Sequence, residues 1–264
     1  MTDLAPAPAA PQAAELESVE LVLNLIELLA RSRGGRGVTD VARTLGISKA
    51  RAHRHLRALV SRGYATQDLT GAGYEIGIRL LSLGEQVRDR FDVVTAIRPS
   101  LAPLRAATGL GVTASAVVAD EVVVLEMMQG ATLIETGVRA GSRLDFHASA
   151  HGLVALAFGP AGLLTQALSR PLTAWTVHTL VDPAALRAEV GRVRARGWAT
   201  APDAVQLGVN ALAAPVRDHR GVCRGAVALV GATQFIAATP TAEQIAHVAG
   251  AARESSRRLG WEGE

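Results

Sequence analysis

One cysteine, one lysine and few aromatic rings set the first limits on this 264-residue chain. Cys223 stands alone, which excludes an intramolecular disulfide framework and any multi-cysteine zinc or iron–sulfur centre, and suits a reducing cytosol. Lys49 is the single lysine among 27 basic residues, so a Schiff-base or phosphate-loop lysine has no other place to be. Aromatics make up 3% of the chain, so its core has to be assembled from Ala, Val and Leu. No apolar run approaches the ~18 residues of a membrane span, and the N-terminus lacks the basic-then-apolar order of a secretion signal; a soluble cytoplasmic protein without a membrane partner is expected. GxSxG, SxxK and GK[ST] are absent, and GAGYEIG at 71–77 has the wrong spacing for GxGxxG. With no carboxylate pair of acid–base type either, the sequence is read as a non-enzyme that needs no cofactor.

What is present is globular: 49% apolar and 19% charged residues, in a length that suits two domains. Residues 1–14 carry three prolines and almost no charge and are read as a disordered tail. From residue 15, Val19, Val22, Leu23, Ile26, Leu29 and Ala30 recur at three- and four-residue steps, an amphipathic helix stopped by SRGGRG at 32–37. A short helix follows, with Thr39 as expected N-cap and Val41, Ala42 and Leu45 on its apolar side. Ser48 is placed to cap a third helix with a buried stripe of Ala52, Leu56, Leu59 and Val60, ended by Gly63. Residues 64–67 and 73–76 then read as a hairpin around 68–72. This order of elements is that of a winged helix-turn-helix over 15–78, with the third helix entering a DNA major groove.

Charge points the same way. Residues 36–62 hold seven cations against Asp40, a local charge of +6, so the rest of the chain sums to −3 within a net of +3. On the third helix Lys49, Ala50, Arg51 and Arg54 fall off the apolar stripe, with His53 and Arg57 beside them, while His55 at the stripe's edge suits packing. Arg51 and Arg54 suit bidentate reading of guanine; Lys49, Arg57 and Arg43 suit phosphates, and Ser48 stands at the helix entrance. The competing reading is a solvated basic face on a helical protein.

Residues 79–98 are read as a linker helix and 99–264 as a second domain. There the period changes: 111–119 and 121–128 are β-branched runs around Asp120, and 134–140 is a third strand. Helices are expected at 149–158, 161–169 and 183–196, the last with Asp182 as N-cap and Pro183 at its first position. Strands at 211–216 and 224–230 flank a turn at 218–221, and a helix from 241 to about 259 closes the chain. The fold class is α+β, with an antiparallel sheet covered by helices.

VTDVARTLGISKARAHRHLRALVSRGYATQD and GYEIGIRLLSLG, followed in order by VRAGSRLDFHASAHGLVALAF, VDPAALRAEVGRVRARGWA and GVNALAAPVRDHRG, resemble the IclR family of bacterial transcriptional regulators over residues 15–260. The resemblance implies a winged helix-turn-helix joined to a GAF-like effector-binding domain. It further implies a homodimer or homotetramer that binds double-stranded DNA at a pseudo-palindromic operator and responds to a small molecule. A repressor of a catabolic operon is the first reading; an activator of the same build, or a ligand-binding module without DNA contact, are the alternatives. In the wing, Gly73 and Glu75 stand where relatives carry basic residues, so wing contacts to phosphate are expected to be weak.

The resemblance places the effector pocket at Leu133, Ala150, His151, Gly152, Asp203, Ala211, Ala228 and Val230. Ala and Val replace polar ligands of small-acid-binding relatives there, which implies an aromatic or other mainly apolar acid oriented by His151 and Asp203. His147 and His151 have the spacing of a helical metal pair but no visible third ligand, and no metal site is assigned. Cys223 is expected to be inert despite Arg220 and Arg224 nearby, and Trp175 and Trp198 are expected in the core.

Overall fold

The computed structural model describes residues 11–32, 34–67, 73–88, 92–131 and 138–263, with the backbone alone at 11–16, 85, 87 and 88. The chain divides into two compact units, one up to Val87 and one from Arg88.

In the first unit α1 (Pro11–Arg31), α2 (Val38–Thr44) and α3 (Lys49–Ser61) lead into the antiparallel pair β1 (Ala65–Gln67) and β2 (Tyr74–Ile76), followed by α4 (Arg79–Arg88). α1 begins at Pro11, inside the stretch read as a tail; residues 1–10 lie outside the described residues, as does the hairpin turn 68–72. Leu21, Leu25 and Leu29 of α1, Val41 and Ala42 of α2, Ala52, Leu56 and Leu59 of α3, and Ala65 and Tyr74 of the hairpin close one core. Each of its fully buried leucines stabilises the unit by about 1.5–3 kcal/mol. Val60, read as part of the stripe, is only half-buried at its edge. Arg36 and Tyr74 exchange both backbone hydrogen bonds at 2.9 Å, tying the segment before α2 to the wing. Gly37, with extended backbone and no side-chain cap, precedes α2, so Thr39 lies two residues too late to be its N-cap.

In the second unit α5 (Asp92–Thr108) packs seven residues inward, from Val93 to Leu104. The expected linker helix is therefore divided: α4 ends at Arg88, residues 89–91 lie outside the described residues, and Asp92 to Arg98 belong to α5. Pro99 and Pro103 sit on the exposed side of α5, which continues through them because its opposite face is held in the core.

β3 (Gly111–Val118), β4 (Glu121–Met128), β5 (Arg143–Leu144), β6 (Ala199–Thr200), β7 (Val209–Arg217) and β8 (Cys223–Ala232) form one antiparallel sheet in the order β5-β4-β3-β8-β7-β6. Residues 138–140 are not strand, and β5 follows them; 134–137 lie outside the described residues.

Alternation assigns the sheet's two faces. Val112, Ala114, Leu212, Ala214, Val227 and Leu229 meet α5 and α9 (Ala242–Arg258). Ala213, Ala226 and Ala228 meet α6 (Ala150–Phe158) and α8 (Pro183–Arg196), with α7 (Leu163–Leu168) at the margin. Small side chains on this second face let α6 approach closely. At Gly152 an added Cβ would collide with the backbone of Asp145 and Phe146. Trp198 is half-buried under the Arg196 guanidinium, 4.2 Å from its ring centroid. Trp175 departs from the core reading: it is exposed, and its indole N–H donates to Asp145 Oδ2 at 2.6 Å.

Candidate functional site

α3 owes its start to Ser48, whose hydroxyl accepts the Arg51 backbone N–H at 3.2 Å. With Ala52, Leu56 and Leu59 held in the core, the 100° step of a helix turns Ala50, Arg54 and Arg57 to the far side. Lys49, Ala50, His53, Arg54 and Arg57 are exposed and Arg51 is half-buried, so the structure brings the expected α3 residues onto one open face. Among the described residues Lys49, Arg51, Arg54 and Arg57 pair with no carboxylate. Arg43 differs: its Nη2 donates to Asp40 Oδ1 at 2.7 Å, while Arg36 Nη1 donates to Oδ2 at 2.6 Å. Those two guanidinium groups, Arg43 first, hold the Asp40 carboxyl below its usual pKa. Arg43 must therefore release or share Asp40 to reach a phosphate. His55 is half-buried, and its pKa is lowered first by burial and then by Arg54 and Arg51, which agrees with packing.

A cavity of about 280 Å³ opens at the start of α6. Ala150 and His151 of α6, Ala211 of β7 and Val230 of β8 line it, four of the residues expected there. Leu133 lies outside the described residues. Gly152, Asp203 and Ala228 do not line it. Gly152 faces the Asp145–Phe146 backbone, and Ala228, two residues along β8 from Val230, is sealed under α6. Asp203 shapes a loop instead: in a left-handed conformation (φ 59°), its Oδ1 accepts the Gly208 N–H at 2.6 Å. That loop presents Val205 and Gln206 to the cavity. The reading also missed Val138, Ser142, Arg143 and Leu144, contributed by β5 and the residues before it. A two-residue edge strand leaves too short a pattern to be seen in sequence.

The polar groups around the cavity are largely committed. His151 Nε2 lies 2.9 Å from Thr113 Oγ1 and Nδ1 lies 2.8 Å from Ser115 Oγ, both on β3. Ser115 Oγ also reaches the Ala226 carbonyl at 3.5 Å, which favours the tautomer with Nδ1–H donating to Ser115 and Nε2 accepting from Thr113. Burial lowers the imidazole pKa to about 4, so the ring is neutral. It is a fastened wall and offers no free nitrogen. Asn210, absent from the expected set, uses its whole amide: Oδ1 accepts from Ala201 and Ala211 N–H, and Nδ2 donates to the Ile236 and Ala237 carbonyls. In the first turn of α6, Ser149 accepts the Gly152 N–H and its carbonyl that of Leu153. The N–H groups of Ala150 and His151 have no protein acceptor among the described residues, as the first turn of a helix dictates.

His147 donates to or accepts from nothing near His151; its Nε2 meets the Thr173 carbonyl at 2.9 Å. Among the described residues no group of three His, Cys, Asp or Glu is placed to hold a metal ion. The Cys223 thiol, bonded to the Gly225 carbonyl, is pushed up to about 12 by burial. No described helix is long and apolar enough to cross a membrane.

Two family descriptions match the chain: IclR helix-turn-helix domain over residues 18–69, and bacterial transcriptional regulator IclR C-terminal over residues 85–257. Similar curated proteins include a glycerol operon regulatory protein of Streptomyces griseus, 28% identical over 94% of this chain and 98% of its own. The transcriptional repressor IclR of Escherichia coli is 27% identical over 95% of this chain and 93% of its own. A crystal structure of an IclR homolog complexed with 4-hydroxybenzoate, from Microbacterium hydrocarbonoxydans, superposes with a TM-score of 0.78. It is 22% identical and covers 92% of this chain and 99% of its own.

Proposed function

Since the chain belongs to the IclR family of bacterial transcriptional regulators, which join a DNA-binding helix-turn-helix to an effector-binding domain and are not enzymes, we propose that it is a cytoplasmic repressor of a catabolic operon released by an aromatic or other mainly apolar carboxylic acid. The observation that carries the DNA reading is the α3 face, where Lys49, Arg54 and Arg57 are exposed, Arg51 is half-buried, and none of the four pairs with a carboxylate among the described residues. Arg51 and Arg54 read base edges, Lys49, Arg57 and a released Arg43 hold phosphates, and Ser48, Ala50 and His53 border the groove. Exposed Val19 and Leu23 on α1 support pairing with a second copy, and a two-fold pair requires a pseudo-palindromic operator.

For the effector, the support is a cavity with mainly apolar walls and two unfilled amides at one end. Those amides, on Ala150 and His151, seat a carboxylate at the positive end of α6, while Ala211, Val230 and Leu144 contact the body. An apolar cavity of about 150 Å³ holds benzene, so about 280 Å³ takes a substituted ring. The bound 4-hydroxybenzoate of the Microbacterium relative is of this class. Gel-shift titration on the chain's own upstream DNA at several salt concentrations tests the first part, with log K falling linearly against log salt. Transcription in vitro, repressed by the protein and restored by benzoate or 4-hydroxybenzoate, tests the rest; activation by the same acids would reverse the sign assigned here.

A further inference from the structure

Once Ser149, His151 and Asn210 have bonded within the protein, the effector cavity retains one charged side chain among the described residues, Arg143. Arg143 borders two cavities at once. One is the effector cavity; the other, of about 160 Å³, is lined by Asp120, Glu121 and Asp145 among others. In that smaller space the other carboxylates have partners of their own, Asp120 with Arg170 and Asp145 with the Trp175 indole. Among the described residues Arg143 pairs with Glu121 alone, through a single contact of 3.2 Å from Nη1 to Oε1, with both side chains well exposed. A single-contact pair in water is weak and exchanges readily. A guanidinium that meets a carboxylate through two parallel N–H···O bonds holds it more strongly than a single-contact pair does.

We propose that Arg143 is the residue by which this site selects an anion: it leaves Glu121 and turns into the effector cavity to clasp the carboxylate seated on α6. Glu121 is thereby a competitor of the effector for one cation. This deepens, and rests on, the reading of the cavity as the seat of an aromatic acid.

Competition gives the two partners of one ion pair opposite effects, which no structural role for the pair would do. Isothermal titration of the full chain with benzoate and with its uncharged isostere benzamide separates the cases. Arg143→Gln should bind benzoate about tenfold more weakly, with benzamide unchanged. Arg143→Lys should recover part of the loss. Glu121→Gln should bind benzoate about two- to fivefold more tightly, the size expected from removing an exposed competitor. Both positions are exposed, so melting temperatures should match the wild type. Benzoate affinity unchanged in Arg143→Gln, unchanged in Glu121→Gln, or shifted in one direction by both, overturns the exchange while leaving the cavity an effector site. Wild-type protein that binds neither benzoate nor 4-hydroxybenzoate overturns the effector class, and the role of Arg143 with it.

Discussion

Burial favours the neutral form of the His151 imidazole, and that makes the residue a source of pH dependence. In the unfolded chain it takes a proton near pH 6.5, whereas burial keeps the folded ring neutral down to about pH 4. Between these values the unfolded state binds the extra proton, so stability falls with falling pH by about 1.4 kcal/mol per pH unit from this residue. Below both values the contribution no longer changes. Replacing it by glutamine removes the slope: in urea unfolding, the stability difference between wild type and His151→Gln should shrink by about 2 kcal/mol from pH 7 to pH 5. One residue along, Gly152 allows α6 to touch the Asp145–Phe146 backbone. Gly152→Ala should cost about 1–3 kcal/mol, read as a lowered melting temperature, although Gly152 does not line the cavity. Both residues were legible as special positions in HASAHG, but the partners of His151 lie far off in sequence; Thr113 is 38 residues away. A motif names the residue and leaves open what it holds.

At the scale of elements, α3 was readable almost whole, because a capping serine, an apolar stripe and a glycine stop are all local signals. The same is true of α8, with Asp182 and Pro183, and of α9, whose Thr241 forms a capping box with Gln244. Elements fixed by distant pairing were not: β6 and β5 are two residues each, held by β7 and β4 rather than by their own pattern. One wall of the cavity comes from β5 and the residues before it, which is why Val138, Ser142, Arg143 and Leu144 were missed while half of the expected lining, on α6, β7 and β8, is found there. The helix that was legible supports sharp expectations. Arg51→Ala and Arg54→Ala should each weaken operator binding by about 1–3 kcal/mol and relax base preference at one position. Arg57→Ala should weaken all DNA alike and lower the salt slope by about 0.9. Gel shifts on operator and scrambled duplexes separate the two patterns.

For the molecule as a whole, a net charge of +3 hides a window of +6 in the helix-turn-helix set against −3 elsewhere. The offset lies within the first unit, whose residues outside the window sum to −5, while the second unit, with 17 arginines against 15 carboxylates, is nearly balanced and adds little nonspecific hold on DNA, so affinity rests on the window and falls with salt. Linkage then constrains the response to effector. If benzoate lowers operator affinity by some factor, saturating operator must lower benzoate affinity by the same factor, measured by titrating the acid into free and DNA-bound protein. Unequal factors would mean that the stoichiometry or oligomer differs between the two titrations, or that one of them is not at equilibrium.

Lys49, exposed at the head of α3, carries the chain's only side-chain amine. An amine-reactive dye therefore attaches at one internal position without any engineered cysteine, on the face assigned to the groove. The labelling rate, compared with and without operator or acid, reports occupancy of that face directly in the unmodified sequence.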